Sequence, residues 1–398
     1  MTAGLQAEDY DIAIVGAGLS GTIAATVLGR AGYRVVLIDR HEAFPPEFRV
    51  EKIGGDQVEK FRRLGLLDAV AEAAVRFDEI VNIRRGRLLD RTRATHYGIL
   101  YDELVRAMRA ELPSSVRLVF GQVGDLATGP ERQQVTIGKQ GVVSARLVVL
   151  ATGMGDVLRS RLGIEREVIH ARQSLTFGFN LQPVGAPAFA RPALTHYGER
   201  PADGIDYLNI FPAGGTTRAN LFTFREHTDP WVKAFRQAPR RVLAETLPGL
   251  LDALGDFEIT DRVQMWLQDL AVARGVERDG VVLIGDAFQT SCPAAGTGVS
   301  RLLTDIERLC LVHIPQWLAS PGMSAEKIAR FYADPQKRAM DDHVLALARY
   351  RRRLTVDTSP AWRLQRQVLY TRRRLIDRLD RVSPGLVARL RSLKARPA

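Results

Sequence analysis

The chain has 398 residues, of which 46% are hydrophobic and 25% charged. This length exceeds one ordinary core, so we expect two domains, or one large domain with a docked extension. The seven histidines and two cysteines form neither an HxxxH nor a CxxC spacing, which predicts that the protein has no metal site. Cys292 and Cys310 cannot build a disulfide framework, so the cytoplasm is the expected location.

The positive charge is concentrated at the C-terminus. The formal net charge is +11, whereas residues 349–398 hold 15 Lys/Arg and only 3 Asp/Glu. The N-terminus lacks the pattern of a signal peptide. Residues 12–29 are uncharged but short and rich in Gly and Ala, so no transmembrane segment is expected.

The predicted elements alternate between strands and helices through the first part of the chain. Strands are expected at 11–16, 34–39, 116–123, 133–138, 145–153 and 281–285, and helices at 18–31, 55–70, 102–112 and 298–313. Residues 170–226 are strand-rich and interrupted by Pro and Gly, which indicates an inserted antiparallel sheet. The chain is mostly helical from about residue 324 onward.

A glycine-rich turn follows the first strand. Gly16, Gly18 and Gly21 form a GxGxxG pattern between a strand and a helix, and Asp39 closes the next strand. The first glycine permits the tight turn, the second lets the backbone approach a pyrophosphate, and the third allows close packing of the helix. An acid in the position of Asp39 binds the ribose hydroxyls of an adenosine. The motif predicts a dinucleotide site, and it leaves NAD and FAD open.

A second loop of the same kind follows the strand at 281–285. It contains Asp286 directly after the strand, then Pro293 and a GTG turn before a helix. With both motifs, the chain resembles the flavoprotein monooxygenases of the aromatic hydroxylase type, which share the p-hydroxybenzoate hydroxylase fold. The resemblance covers roughly residues 9–330. It implies an α/β fold with a Rossmann-like FAD-binding domain of the GR2 type, an inserted, mainly antiparallel β substrate domain, and a helical C-terminal extension.

The resemblance also implies domain boundaries and cofactor contacts. The FAD-binding domain is expected at 9–75, 96–165 and 265–330, the substrate domain at 76–95 and 166–264, and the basic helical region at 331–398. The residues expected to bind FAD are Gly16, Ala17, Gly18, Leu19, Ser20, Gly21, Asp39, Arg40, Arg49, Val123, Thr152, Gly153, Asp286, Gly296, Gly298 and Val299. In the family, the residue matching Asp286 bonds the ribityl chain, and the amides matching Gly298 and Val299 face the flavin.

Two departures from the family pattern affect the predicted chemistry. Thr152 stands where the family usually has an aspartate that also serves NAD(P)H, and Tyr101 stands where many relatives have an arginine. The resemblance implies that NAD(P)H reduces FAD and that O2 forms a flavin C4a-hydroperoxide, which hydroxylates or epoxidises a small aromatic or polyketide/terpenoid-like substrate. A reductase of the geranylgeranyl-reductase type, a halogenase and a non-enzymatic sensor remain alternatives. The WxWxIP motif of the halogenases is absent.

Few side chains outside these motifs suggest chemistry. Lys52 follows Arg49 in a loop expected near the flavin, and it is the only candidate for a catalytic role, binding an anionic substrate or the NADPH phosphate; a solvated surface lysine is the plainer interpretation. Histidines and aromatic residues of the inserted sheet are expected to pack in the core or to line a substrate cavity: His96, His170, His196, Phe177, Phe179, Tyr207 and Phe211.

Aliphatic residues recur at near-helical spacing in the Arg-rich tail, at Leu364, Val368, Leu375 and Leu379. This pattern predicts an amphipathic helix that rests on the protein body, on an anionic surface or on an acidic protein partner. No nucleic-acid recognition motif accompanies the charge, so no specific nucleic acid is expected.

Overall fold

A computed structural model describes residues 9–383. Its strands are β1 Asp9–Val15, β2 Val35–Asp39, β3 Val50–Gly54, β4 Val75–Arg84, β5 Arg87–Leu100, β6 Val116–Phe120, β7 Val123–Ala127, β8 Gln133–Ile137, β9 Gly141–Leu150, β10 Glu165–Pro183, β11 Leu194–Tyr197, β12 Ile205–Ala213, β13 Thr216–Thr223, β14 Phe257–Ile259, β15 Gln264–Arg274 and β16 Val281–Leu283. The α-helices are α1 Leu19–Arg30, α2 Asp56–Arg63, α3 Leu67–Ala73, α4 Tyr101–Ala110, α5 Val157–Arg161, α6 Pro230–Gln237, α7 Pro239–Thr246, α8 Leu250–Leu254, α9 Gly298–Arg308, α10 Ile314–Leu318, α11 Ala325–Tyr332, α12 Pro335–Val356 and α13 Pro360–Val382.

The chain divides into two compact units. Within the described residues, the first comprises 9–74, Ile99–Gln173 and Gln268–Ala348, and the second comprises Val75–Gly98, Ser174–Leu267 and 349–383. None of the described helices is both long enough and apolar enough to span a bilayer.

The first unit contains a sheet with a parallel centre. Strands β6, β2, β1, β9 and β16 run parallel in that order, and β8 and β7 extend the sheet antiparallel beside the first half of β9. The central strands are apolar and almost fully buried, as expected for parallel strands covered on both faces. Helix α1 follows β1 and buries ten of its residues, mostly small ones, so its backbone packs closely on the sheet.

The second unit contains a mainly antiparallel sheet in the order β14, β10, β13, β12, β11, β4 and β5, in which only β11 and β4 pair in parallel. One face is apolar, and Phe177, Phe179, Leu208 and Leu221 pack there with residues of α6–α8. The opposite face carries a polar row in which Asn82, Thr195, Asn209 and Asn220 are neighbours across four strands. Both predicted fold classes, a parallel α/β part and an antiparallel sheet, are confirmed.

Several predicted elements differ in detail from the structure. The helix expected at 55–70 is two helices, because Gly65 takes a left-handed conformation with φ 66° after α2. The strand expected at 116–123 is interrupted after β6, and the helix expected at 298–313 changes to a π turn after Arg308. Helices α6–α8 and strand β3 were not predicted, since short segments without strong periodicity carry little signal.

Candidate cofactor site

Four parallel strands of the first unit end at one edge of the sheet. Val15 of β1 is in register with Ile38 of β2 and with Leu150 of β9, and Leu150 is in register with Leu283 of β16. The residues that follow these strands therefore meet at the carboxyl edge, which is where open α/β sheets bind their ligands. Gly16, Thr152 and Asp286 are among them, and Asp39, the last residue of β2, lies at the same edge.

The glycine-rich turn has the close contacts that its sequence requires. Gly16 has φ 105°, and a Cβ added there would lie 2.5 Å from the carbonyl oxygen of Ala151. A Cβ on Gly21 would lie 1.9 Å from the carbonyl oxygen of Gly16, so only glycine fits at both positions. Gly18 differs, because the nearest atom to its added Cβ would be in Phe44, 4.0 Å away. Space is therefore left beside the backbone of Gly18 at the start of α1, where a pyrophosphate would approach.

The side chains of Asp39 and Arg109 form hydrogen bonds with the backbone of this turn. The Asp39 carboxylate accepts hydrogen bonds from the backbone N–H of Ala17 at 2.6 Å and of His41 at 2.8 Å. The Arg109 guanidinium donates two bonds to the Ala17 carbonyl oxygen, at 2.8 and 3.0 Å, and a third to the Glu42 carbonyl oxygen at 2.8 Å. The side chain of Arg109 is only 11% exposed, so this cation belongs to the site rather than to the solvated surface.

The two predicted motifs lie against each other. Gly285 has φ 60°, and a Cβ added there would be 2.4 Å from the hydroxyl oxygen of Ser20, in the first turn of α1. The Gly285 backbone N–H donates to Asp305 Oδ2 of α9 at 3.0 Å. The loop that carries Asp286 is thus fixed directly beside the glycine-rich turn, although the two motifs are far apart in sequence.

A chain of alternating charges leads from Asp286 into the interior. Arg301 of α9 lies 3.3 Å from Asp286 and 3.2 Å from Asp305, and its side chain is 1% exposed. Lys337 of α12 lies 3.0 Å from Asp305 and 2.9 Å from Asp341. Burial raises the pKa of Asp341, while Lys337 opposes that shift. Arg301, Asp305 and Lys337 are buried and Asp341 is partly buried, and these four groups are paired with one another, whereas the Asp286 side chain is 39% exposed.

Strand β3 and the start of α4 form another side of this site. The Arg49 guanidinium stacks 3.8 Å from the ring centroid of Tyr101, and the Tyr101 N–H donates to the Arg49 carbonyl oxygen. Burial raises the pKa of the Glu51 carboxyl to about 7; Arg49 opposes this shift, and the charge of Asp286 adds to it. Because side chains alternate along a strand, Lys52 points to the opposite side of β3 from Arg49 and Glu51.

Lys52 is half-buried and forms no ion pair with any residue between 9 and 383. Burial lowers the pKa of its ammonium group to about 8. A partly desolvated cation without an acidic neighbour is costly unless an anionic ligand balances it.

The start of α9 presents unused hydrogen-bonding groups. The helix begins at Gly298 without a side-chain cap, and the buried hydroxyl of Thr297 has no hydrogen-bond partner within the described part of the chain. Gln57 of α2 donates to the Gly296 carbonyl oxygen at 3.4 Å, and Ser300 donates to Asp56 at 3.2 Å, so α2 holds this loop in place. An orphaned buried hydroxyl, an uncapped helix start and the open space beside Gly18 fit a bound dinucleotide such as FAD.

The remaining predicted residues lie at or near the same edge. Thr152 is half-buried and adjoins Gly16, Gly153 takes φ 60° in the following turn, and Val123 begins β7 and packs on the core of the first sheet. Leu19 and Val299 are buried at the starts of their helices, whereas Arg40 is exposed. Sequence reasoning did not identify Arg109, Arg301, Asp305 or Lys337. The i,i+4 spacing of Arg301 with Asp305 and of Lys337 with Asp341 was a signal that the sequence offered.

The chain matches the family model described as "FAD binding domain" over residues 9–311. Since this match spans most of the chain, the protein belongs to that FAD-binding family and its cofactor is FAD. Within the described residues, no group of His, Cys, Asp or Glu side chains is arranged to hold a metal ion.

Named relatives refine this placement. The chain is similar to "Aklavinone 12-hydroxylase DnrF" of Streptomyces peucetius, with 26% identity over 344 residues, covering 76% of this chain and 66% of that protein. It is also similar to "Kynurenine 3-monooxygenase" of Salinispora arenicola, with 26% identity over 351 residues, covering 80% and 76% of the two chains. The chain thus spans slightly less than two thirds of the length of the first relative.

A solved structure shows the same fold. The p-nitrophenol 4-monooxygenase PnpA of Pseudomonas putida superposes with a TM-score of 0.74 at 16% identity, covering 98% of this chain and 100% of that one. At this identity the likeness concerns the fold alone. Together with the family match, these findings confirm the predicted resemblance to FAD-dependent monooxygenases of the aromatic hydroxylase type.

Proposed function

We propose that the protein is an FAD-dependent monooxygenase that hydroxylates or epoxidises a small organic substrate, aromatic or polyketide/terpenoid-like, using NAD(P)H and O2. The observation that carries the proposal is the meeting of two motifs at one sheet edge, with Gly285 against Ser20, in a chain that matches the FAD-binding family over 9–311. The names of the relatives, a hydroxylase and a monooxygenase, support the reaction type.

The glycine-rich turn is proposed to hold the adenosine diphosphate half of FAD. The N–H groups at the start of α1 and the space beside Gly18 suit the pyrophosphate, since a helix N-terminus attracts anions. Asp39 is proposed to accept bonds from the ribose hydroxyls, while Arg109 keeps the turn in shape through the Ala17 carbonyl. Arg40, Arg49 and Val123 remain proposed cofactor contacts on the same side.

The second motif is proposed to hold the flavin half. The Asp286 carboxylate accepts bonds from the ribityl hydroxyls, and the buried Arg301, 3.3 Å away, orients that carboxylate. The amides of Gly298 and Val299 at the uncapped start of α9 face the pyrimidine ring, where they favour negative charge. Gly296, Thr152 and Gly153 shape the turns around it. When bound, FAD supplies the redox chemistry, namely hydride uptake from NAD(P)H and oxygen insertion from O2.

Lys52 is proposed to bind the anionic group of the substrate or of NADPH. Support comes from its partial burial, from the lack of an acidic partner among the described residues, and from the lowered pKa of its ammonium. The proposed location is the cytoplasm, in keeping with Cys292 and Cys310, which are buried and form no disulfide with each other. The proposed partners are the small substrate and O2, and an anionic surface that the Arg-rich C-terminal region contacts.

A flavin-dependent reductase is the second candidate, favoured by Thr152 at the position where the family usually has an aspartate. The test is to mix the FAD-loaded protein anaerobically with NADH or NADPH, admit ¹⁸O2 with a panel of electron-rich aromatic and polyketide compounds, and analyse the products by mass spectrometry. The proposal expects reduction of the flavin and a product that gains one ¹⁸O atom. Reduction of the substrate without O2, with no oxygen gained, would show the reductase instead.

A further inference from the structure

The last described helix, α13, packs on the second unit through its charged face. Arg373 forms a two-bond ion pair with Asp90, at 2.5 and 2.9 Å, and lies 4.7 Å from the ring centroid of Tyr197. Arg84 stacks over the Tyr370 ring at 4.2 Å, and Asp377 accepts the backbone N–H of Arg91 at 3.2 Å.

Arg366 completes this inward face. Its buried guanidinium donates to the carbonyl oxygens of Leu354 and Asp357 at 3.0 and 2.8 Å. Residues 366, 370, 373 and 377 follow helical steps of three and four, so one polar and aromatic stripe attaches α13 to the unit. The arginines on this stripe are therefore structural ion-pair and stacking partners.

The opposite face of α13 is aliphatic and exposed. It consists of Leu364, Val368, Leu375, Leu379 and Val382, which are 62%, 53%, 55%, 37% and 85% exposed. At about 100° per residue, these positions fall within roughly 60° of one another on the helix surface. Five of the 13 large hydrophobic side chains that are exposed in residues 9–383 lie on this stripe. Such a patch marks an interaction surface.

Exposed arginines border this aliphatic stripe. Arg372 lies on one side of it and Arg378 on the other; Arg363 and Arg381 lie farther round, and Arg381 pairs with Asp377. The two acids of α13 are on the inward side: Asp377 is buried, and Asp380 is 21% exposed with Arg93 3.9 Å away. The outward half of the described helix thus combines aliphatic side chains with the charges of Arg372 and Arg378, which have no ion pair within the described residues.

We propose that this stripe docks the protein on the surface of an anionic lipid bilayer. The aliphatic side chains enter the boundary between headgroups and acyl chains, while the bordering arginines reach the lipid phosphates. A second copy of the chain is disfavoured as the occupant, because two such faces would bring arginines together with no exposed acid on the helix to pair them. The helix lies on the membrane and does not cross it.

Full-length, FAD-loaded protein tests this by co-sedimentation with vesicles of phosphatidylcholine alone or mixed with phosphatidylglycerol. The wild type is expected to bind the mixed vesicles, to bind pure phosphatidylcholine weakly, and to dissociate as salt rises past about 0.1 M, where the screening length is about 10 Å. The variant V368Q/L375Q should lose at least about tenfold in vesicle affinity, and R372Q/R378Q should lose its preference for anionic lipid.

Matched control variants show whether vesicle binding depends on this stripe or on any exposed aliphatic side chain or positive charge. V157Q/V168Q replaces two valines with 64% and 49% exposure, and K139Q/R161Q removes two exposed charges; both should bind vesicles as the wild type does. Unchanged FAD content and melting temperature verify that each variant is folded. Wild-type protein that stays in the supernatant with anionic vesicles overturns the proposal. So does wild-type binding by V368Q/L375Q, or a dimer in solution that V368Q/L375Q dissociates.

Discussion

Arg301 lies 3.3 Å from Asp286 and 3.2 Å from Asp305, and it links the partly exposed carboxylate of Asp286 in the candidate cofactor site to the buried carboxylate of Asp305. Its guanidinium is 1% exposed, whereas the Asp286 side chain is 39% exposed. The geometry gives the two aspartates different tasks. The Asp305 carboxylate accepts the Gly285 N–H and pairs with Lys337, and these contacts fix the loop. The Asp286 carboxylate, being partly exposed, can still accept hydrogen bonds from a ligand.

Replacing Asp286 by Ala should lower FAD affinity more than fold stability. Loss of a charge-assisted bond to the ribityl chain is expected to cost about 1.5–3 kcal/mol, which is roughly a tenfold to hundredfold weaker Kd. Titration of apoprotein with FAD, followed by flavin fluorescence, measures this change. Asp252→Ala, at an exposed position of α8, is the matched control and should leave the Kd unchanged. Full FAD occupancy of Asp286→Ala in dilute solution would remove this residue from the site.

Replacing Arg301 by Met should destabilise the protein as well as weaken FAD binding. The substitution leaves Asp305 and Asp286 without their shared cation, and breaking a buried pair from one side costs about 3–5 kcal/mol. Urea denaturation of the apoprotein measures the free energy of unfolding. Arg62→Met, which breaks an exposed pair with Glu59, is expected to change it by only about 0–1 kcal/mol. Equal effects of the two variants would show that the buried chain of charges contributes nothing to stability.

The three motif glycines should respond differently to alanine. Gly21→Ala places a Cβ 1.9 Å from the Gly16 carbonyl oxygen and should prevent normal folding of the turn. Gly18→Ala meets no atom closer than 4.0 Å, so it should fold normally and lose FAD affinity because the methyl group takes the space of the pyrophosphate. Gly124→Ala, with nothing within 4 Å, is the control for both. Melting temperature and FAD titration are the readouts, and unchanged FAD binding by Gly18→Ala would contradict the assignment.

Lys52 should make stability depend on pH in a defined direction. Its pKa in the folded protein is lowered to about 8 by burial, so the unfolded chain binds this proton more tightly. The stability that Lys52 contributes is present above the usual lysine pKa and is lost as the pH falls toward 8. The free energy of unfolding of the apoprotein is measured by denaturation at pH 7 and at pH 10. Lys52→Met should reduce the difference between these two free energies. Kinetics at pH 7 should show a raised KM for NADPH or for an anionic substrate if the proposed role holds.

Much of the candidate cofactor site could be proposed from sequence because its constraints are local. The turn at Gly16 and Gly21 needs residues without a Cβ, Asp39 ends one apolar strand, and Asp286 follows another, so pattern and spacing are enough to propose them. Strand and helix periodicity likewise predict the parallel sheet of the first unit. The predicted fold class, the FAD cofactor and the family are confirmed.

The remaining features depend on contacts between distant segments. Arg301, Asp305 and Lys337 form one buried chain only after α9 and α12 pack together, and no local pattern encodes that meeting. Helix α13 illustrates the same difficulty. Its leucines suggested an inward apolar face as one interpretation, whereas Arg373 pairs with Asp90 and the leucines face outward. The inward face of α13 is therefore determined by specific ion pairs and aromatic stacking, which the hydropathy pattern of the sequence does not reveal.

The most direct measurement of the central claim compares FAD and FMN as ligands of the apoprotein. If the glycine-rich turn holds the adenosine diphosphate half and the Asp286 loop holds the flavin half, one extended ligand occupies both. Calorimetric titration should then give one FAD per chain, with FMN binding far more weakly because it lacks the half that contacts Gly18 and Asp39. Equal affinity for FMN and FAD, or no flavin binding at all, would contradict the account.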